Sequence, residues 1–371
     1  MKTEYSPLLI LLNIFVMFQF GCGGGGSADT SAIDTGEVEQ GDSNINGDTI
    51  SGRLFMGGDN DGLILNLATG KYSIVPGVDW SENEDNEYHP MAQYAALPSI
   101  DGSEFVVTIS NCLRTNDKEY PSLFDDCIEI HDSTGNIIGS GKMLENISRK
   151  TRMSRDKQYI AFFYNDGRYQ GRNDELVIFD RNFQFINRSM LPGYLARSFD
   201  WLNDNGQLVY IHDQTIYVTA PYDTDGTAIY TFSEDEGRPD YIAASPDGDK
   251  IAFTLVSEAS YRSIHGTTWV MNSDGTDLHQ LAYVPGNEYP IINYPTWSPD
   301  GAYIMNMVGY VTGADFIDMG VLGGLYAIPS ASQNIAINDN GENGIVHIKS
   351  YFHSNELNYD FTSNGNLVWI P

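Results

Sequence analysis

The chain has 371 residues, of which 50 are acidic and only 20 are lysine or arginine, so its formal net charge at pH 7 is −30. A protein this poor in cations cannot neutralise many phosphates, which excludes non-specific nucleic-acid binding. Hydrophobic residues make up 41% and aromatic residues 12%, which is enough to form a folded core. The composition predicts an acidic globular protein with no nucleic-acid partner.

Residues 1–21 have the features of a secretory signal peptide. The apolar run from Leu8 to Phe20 follows Lys2 and is too short to span a bilayer as a helix. Gly21 and Cys22 then resemble the processing site of a bacterial lipoprotein, which implies lipidation of Cys22. Gly23 stands where an aspartate would favour the inner membrane, so the resemblance implies the outer membrane, on its periplasmic or surface face. Release as a soluble secreted protein and an uncleaved anchor are the alternatives.

Residues 22–49 are predicted to be a flexible acidic tether that begins at the lipidated cysteine. The segment carries six acidic residues and no basic one, so it cannot bury enough surface to offset the entropy of ordering. A coil of this length has an end-to-end distance on the order of 30 Å. The lipid anchor is then the expected contact with the membrane.

Cys112 and Cys127 remain as a pair once Cys22 is assigned to the anchor. In an oxidising compartment an even pair favours a disulfide, and two unrelated buried thiols are the alternative. The sequence contains no C-x-x-C motif, which excludes a structural zinc site of the usual spacing.

Two families of tight turns alternate along residues 50–371 and define a repeat. The first family is centred near Asp101, Asp156, Asn205, Asp247, Asp300 and Asn364. The second is centred near Gly70, Gly135, Asn182, Gly226, Gly275 and, less clearly, Ser330. Each turn joins two extended apolar segments, so each unit contains two hairpins. Six such units predict a six-bladed β-propeller with four-stranded blades.

The two ends of this region should share one blade, because the series opens with a second-family turn and closes with a first-family turn. The C-terminal strands NYDFT and NLVWI would form the inner half of that blade, and LILNL and KYSIV the outer half. The segment from Arg53 to Met56 also looks like a strand and competes with Leu367–Ile370 for one position. The sequence leaves that placement open.

The units containing TWSPDGAYI and AASPDGDKIAF resemble the repeats of TolB-like six-bladed propellers. The resemblance covers residues 50–371 in layout and implies a periplasmic scaffold that binds other proteins. In such a unit Trp297 would pack between blades and Asp300 would form the turn.

No catalytic motif stands beside the repeat. The sequence lacks G-x-S-x-G and H-E-x-x-H, and its seven histidines are scattered, so we expect no enzyme activity, no metal and no cofactor. The candidate binding site is instead a group of arginines near the starts of the inner strands: Arg149, Arg152, Arg197 and Arg238. They would attract a carboxylate of an acidic peptide or sugar. The alternative is that they pair with local aspartates and hold the blades together.

Together these features predict a monomeric, lipid-anchored, non-catalytic propeller that binds a cell-envelope protein through its channel face. The alternative is a lyase or hydrolase acting on an anionic glycan, similar to the oligogalacturonate lyases of the same broad fold, which hold a divalent metal with clustered histidines.

Overall fold

A computed structural model describes residues 50–58, 61–69, 72–78, 93–110, 126–143, 151–165, 174–190, 196–223, 225–260, 263–285, 291–312, 320–337, 341–348 and 366–371. The chain divides into two units, Met1–Asp34 and Thr35–Pro371, and every described residue belongs to the second. The predicted signal peptide and tether therefore lie outside the described residues.

The described residues form 25 β-strands and one short 3-10 turn, Glu342–Gly344. In chain order the first twelve strands are β1 (Arg53–Gly58), β2 (Asp61–Asn66), β3 (Tyr72–Ile74), β4 (Gln93–Pro98), β5 (Glu104–Ser110), β6 (Asp126–Asp132), β7 (Ile137–Met143), β8 (Arg152–Met153), β9 (Tyr159–Asn165), β10 (Asp174–Asp180), β11 (Phe185–Met190) and β12 (Ala196–Trp201). The others are β13 (Leu208–His212), β14 (Thr215–Thr219), β15 (Thr227–Thr231), β16 (Arg238–Ala244), β17 (Lys250–Ser260), β18 (Ser263–Asn272), β19 (His279–Tyr283), β20 (Ile291–Trp297), β21 (Tyr303–Thr312), β22 (Gly320–Pro329), β23 (Ile335–Ala336), β24 (Val346–Ile348) and β25 (Asn366–Ile370). Within this part of the chain, no helix is long and apolar enough to cross a membrane.

The strands form six four-stranded antiparallel blades. From the inner to the outer strand they are blade 1 (β25, β1, β2, β3), blade 2 (β4 to β7), blade 3 (β8 to β11), blade 4 (β12 to β15), blade 5 (β16 to β19) and blade 6 (β20, β21, β22, β24). The six inner strands contact one another in a closed circle, in the order β25, β4, β8, β12, β16 and β20. This circle confirms the predicted six-bladed propeller.

The core is divided among the interfaces between blades. The described residues form six hydrophobic clusters, one at each junction of neighbouring blades. Strand β9 shows how this arises, because its side chains alternate in direction. Ile160 and Phe162 pack toward blade 2, whereas Ala161 and Phe163 pack toward blade 4. Apolar residues on both faces of the middle strands therefore join each blade to both neighbours.

A serine and an aspartate build the turn after the inner strand in four of the blades. The pairs are Ser99 with Asp101, Ser154 with Asp156, Ser245 with Asp247 and Ser298 with Asp300. Each serine hydroxyl donates to its aspartate at 2.6–2.7 Å, and the serine oxygen accepts a backbone N–H five residues further on. The bond from Ser298 helps to hold the pKa of the Asp300 carboxyl below its ordinary value. We call the end of the ring that carries these turns the turn face.

The fourth position of this turn, directly after the aspartate, has a left-handed backbone. Gly248 and Gly301 supply it, with φ of +77° and +72°, at the two turns that match the SPDG pattern. Blade 3 has Lys157 there, with φ of 59°, a conformation that is unfavourable for a residue with a side chain. The Lys157 ammonium lies 2.6 Å from the Asp101 carboxylate of blade 2, which compensates for part of this cost.

Blade 1 closes the ring with strands from both chain ends, but not in the proportion expected. It contains one C-terminal strand and three N-terminal strands, in the order β25, β1, β2 and β3. Strand β1 lies between β25 and β2, with Arg53 opposite both Ile370 and Asn66. Leu367–Ile370 is therefore the inner strand and Arg53–Met56 the second one, so the expected half-and-half division was wrong. The segment NYDFT lies outside the described residues.

Trp369 explains why Leu367–Ile370, rather than Arg53–Met56, is the inner strand of blade 1. It occupies the same place on its inner strand as Trp201 and Trp297, and all three side chains are almost fully buried. The Trp369 indole N–H donates to the carbonyl of Ser51 at 2.9 Å. In addition, the Arg53 side chain donates to the carbonyl of Pro371 at 3.0 Å. These contacts fix β25 at the centre and leave the second position to β1.

Blades 5 and 6 are joined more closely than the others. Parallel bridges link Gly266 to Ile291 and Ala282 to Ile335, so the two blades form one continuous sheet of nine strands. The segment after Ser330 pairs with β19 of blade 5 and does not return to β22, so the hairpin expected near Ser330 was wrong. Val346–Ile348 supplies the outer strand of blade 6.

Replacing Trp369 with alanine should destabilise the whole ring. The change empties a buried aromatic site at the closure, which costs about 3–5 kcal/mol of unfolding free energy. Trp369→Phe should cost less, because it keeps most of the buried ring and loses the indole donor. Urea unfolding followed by circular dichroism measures both, and Phe185→Ala, at a side chain that is 57% exposed, is the control. A Trp369→Ala protein with the wild-type midpoint would contradict closure through β25.

Candidate functional site

The channel opens on the turn face into a cavity that all six blades line. The cavity has a volume of about 40 Å³. Each inner strand contributes two neighbouring residues to its lining, and one from each blade is Leu367, Pro98, Arg152, Asp200, Ala244 and Thr296. We call this region the channel mouth. It is the candidate site because it joins a concavity to charged side chains.

Arg155 closes part of the channel mouth. Its guanidinium group donates to the backbone carbonyls of Trp201 at 2.9 Å and Ser245 at 2.6 Å. It also donates to the carbonyls of Ala244 and Pro246. One arginine of blade 3 thus binds the ends of the inner strands of blades 4 and 5. Carbonyl oxygens accept well from a charged donor, so Arg155 links three blades.

Arg152 forms an ion pair with the next blade. Its guanidinium lies 3.3 Å from the Asp200 carboxylate, and both side chains are mostly buried. Asp200 also accepts the backbone N–H groups of Trp201 and Ala244, each at 2.9 Å. Asp200 therefore connects blade 3 to blade 5 through blade 4. For Arg152 this geometry supports the alternative in which the arginines hold neighbouring blades together.

Arg152 and Arg238 lie at different depths of the channel. Arg152 stands two residues before Ser154, whereas Arg238 stands seven residues before the equivalent Ser245. Five residues of strand span roughly 16 Å, so the backbones of these two arginines lie at different levels of the channel. Arg149 and the side chain of Arg197 lie outside the described residues, and the four-arginine site remains a prediction.

Sequence reasoning missed Arg155, although the sequence contains a signal for it. Arg155 stands where Pro246 and Pro299 stand in the two units that match the SPDG pattern. A charged residue at a proline position of a repeated turn suggests a contact that the other blades lack. However, the hydrogen-bond acceptors of Arg155 are backbone carbonyls, which no sequence pattern identifies.

The histidines with described side chains do not meet. His131, His212, His279 and His347 lie in blades 2, 4, 5 and 6. Among the residues that the structure describes, no group of three or more His, Cys, Asp or Glu side chains could hold a metal ion. His131 is buried and its Nε2 lies 2.7 Å from the Glu129 carboxylate.

The predicted cysteine sites fall mostly outside the described ranges. Cys127 lies in β6 opposite Ile109 and Lys142. Cys112 and Cys22 lie outside those ranges, so the disulfide and the lipidation remain predictions.

Comparisons with known proteins find propellers at low similarity. No protein-family model matches the sequence, and no curated protein matches it significantly. Among solved structures, a TolB candidate from Agrobacterium tumefaciens is 15% identical, with a TM-score of 0.47 over 82% of this chain and 100% of that one. An oligogalacturonate lyase from Vibrio parahaemolyticus is 10% identical, with a TM-score of 0.46 over 81% and 74% of the two chains. The C-terminal WD40 domain of Sif2 is 11% identical, with a TM-score of 0.46 over 92% and 98%. These likenesses carry no argument about what this chain binds.

Arg155 and Arg152 offer a matched test of the channel mouth. Arg155→Met should lower the free energy of unfolding by about 3 kcal/mol, because several carbonyls lose a charged donor. Arg152→Met should cost less, about 1–2 kcal/mol, because it removes one contact and leaves Asp200 with its two backbone donors. Urea unfolding of both variants measures the difference. Equal losses would show that the carbonyl contacts of Arg155 do not link the blades.

Proposed function

We propose that the chain is an exported, lipid-anchored propeller that binds a protein partner in the cell envelope and has no catalytic role. This proposal rests on one observation: the charged side chains at the channel mouth contact neighbouring blades. Arg155, Arg152 and Asp200 are all engaged in contacts between blades. Side chains committed in this way make the turn face rigid, and a rigid surface suits binding because little entropy is lost on association.

The charge of the chain supports a protein partner with basic character. A net charge of −30 repels nucleic acid, anionic lipid and anionic glycan alike, and it attracts cationic surfaces. This consideration also weighs against the alternative of an enzyme that acts on an anionic glycan.

The N-terminal sequence supports a position at the membrane. A cysteine after a short apolar run, followed by an acidic tether, would hold the propeller on the order of 30 Å from the lipid. The ring would then face soluble and membrane-bound envelope proteins without entering the bilayer.

Cys22→Ala should abolish lipidation, because the thiol that would carry the lipid is lost. Radiolabelled palmitate should enter the wild-type protein and Cys112→Ala, which removes a different cysteine, but not Cys22→Ala. Globomycin should cause the precursor to accumulate. Normal maturation of Cys22→Ala to a soluble form would contradict the lipid anchor.

Binding and turnover distinguish the scaffold from the enzyme. Cross-linking in intact cells should capture an envelope protein, which should then bind the purified full chain saturably in isothermal titration calorimetry. In parallel, polygalacturonate and other anionic glycans should remain uncleaved in reducing-end and ultraviolet absorbance assays. Cleavage of any of them, with loss of that activity on unfolding, would overturn the proposal.

A further inference from the structure

A row of aromatic side chains runs outward from the channel mouth between blades 3 and 4. Trp201, which lines the mouth, stacks with Tyr159 at 6.0 Å between ring centroids and an interplanar angle of 24°. Tyr159 meets Tyr222 edge to face at 6.3 Å and 86°, and their hydroxyls are 3.4 Å apart. We call these three residues the aromatic row. Exposure rises along it, from 2% for Trp201 to 68% for Tyr222.

The outer end of the aromatic row is held in place by a turn. The backbone N–H of Asp223 donates to the carbonyl of Ala220 at 3.1 Å, with Pro221 and Tyr222 between them. The side-chain amide of Asn187 in blade 3 donates to the carbonyl of Asp223 at 2.6 Å. Proline favours the second position of such a turn. Tyr222 is therefore presented to solvent by a fixed backbone.

Several acidic residues lie near this exposed tyrosine. Asp223 and Asp225 follow it in the chain, and both are exposed. Asp204 is exposed in the turn whose Gly206 lies against Pro221 and Tyr159. The hydrogen bond with Tyr222 and burial raise the pKa of the Tyr159 hydroxyl to about 12, and the charge of Asp156 makes a smaller contribution. The ring faces thus lie in a strongly negative setting.

The described cations near the aromatic row are engaged in other contacts: Arg155 donates to backbone carbonyls, and three more contact carboxylates. Lys157 contacts Asp101, and Arg181 contacts Glu104, both on blade 2. Arg188 pairs with Glu175 within blade 3. An exposed ring with carboxylates near it is complementary to an arginine or lysine side chain.

We propose that Tyr222, Tyr159, Asp204 and Asp223 form a docking surface for an arginine-bearing segment of a protein partner. This inference rests on the proposed scaffold function and specifies its surface and partner chemistry. A guanidinium group would stack on the Tyr222 ring, where a cation is attracted to the face. Asp204 and Asp223 would accept its N–H groups, with the planar geometry that favours arginine over lysine. Tyrosine and arginine are also the residue types that dominate binding energy at protein interfaces.

A pair of peptides tests the chemistry without knowledge of the partner. The first is a fluorescein-labelled nine-residue peptide with three arginines spaced by glycine and serine, and the second carries citrulline in place of each arginine. Fluorescence anisotropy with the full chain should detect binding of the arginine peptide only. Citrulline keeps the shape and removes the charge, so equal binding of both peptides would overturn the proposal.

Variants separate this surface from general attraction to an acidic protein. Tyr222→Ala should weaken the arginine peptide about fivefold, in keeping with a cation–π contact, whereas Tyr222→Phe should bind as the wild type does. Asp204→Asn should weaken it, and Asp235→Asn, at an exposed aspartate of blade 4, should not. Phe185→Ala controls for loss of an exposed aromatic ring. An unchanged affinity in Tyr222→Ala, or equal losses in Asp204→Asn and Asp235→Asn, would overturn the proposal.

A glycan is the competing occupant, since sugars also stack on exposed tyrosines. Cellotetraose and chitotetraose should not bind the full chain. If either binds and Tyr222→Ala abolishes that binding while the arginine peptide fails to bind, the surface is a glycan platform and the proposal is wrong. If the wild type and Tyr222→Ala capture the same envelope protein equally, the scaffold function stands and this surface is overturned. If the wild type captures none, the scaffold function fails, and the peptide result still decides the surface.

Discussion

Hydrogen bonding between neighbouring inner strands is the constraint on which the ring depends. Each inner strand pairs with its own blade on one edge only, and the N–H groups on its other edge need acceptors because buried donors without them are costly. Side chains of the preceding inner strand supply several of these. Ser198 accepts from Ile242, Asp200 from Ala244 and Thr296 from Trp369, at 2.9–3.2 Å. Two tryptophans add hydrogen bonds between the same blades. The indole N–H groups of Trp201 in blade 4 and Trp297 in blade 6 donate to backbone carbonyls of the preceding blade. The polar side chains nearest the channel therefore serve mainly to hold neighbouring blades together.

The sequence predicted those parts of the fold that depend on contacts within a few residues of the chain. The turns were predictable because each needs a local chemical signature. The serine and aspartate bond within the turn, and a glycine takes the left-handed position, all within a few residues. The number of times that this signature recurs predicted the number of blades. The order of the turns predicted that both chain ends share one blade, but not its division into one C-terminal strand and three N-terminal strands.

The errors arose where a strand's partner is distant in the chain. Arg53–Met56 and Leu367–Ile370 both read as strands, and only the interblade position of Trp369 decides which of them is central. The sequence after Ser330 resembles the return strand of a hairpin. In the structure this segment pairs with β19 of blade 5, and the fourth strand of blade 6 is β24, further along the chain. The arginine site stays a prediction, but the alignment behind it meets a similar limit. Arg152 and Arg238 appear equivalent when strand starts are aligned, yet the starts lie at different depths. Arg155 was overlooked because its acceptors are backbone atoms of two other blades.

The position of β1 between β25 and β2 has a mechanical consequence. Whatever precedes residue 50 is joined to the ring through β1, which is bonded along both edges to antiparallel neighbours. A force applied to the N-terminal side of the chain would therefore act first on β1 and on the bonds of both ladders. The strand that helps to close the ring is thus also the strand that would carry this load.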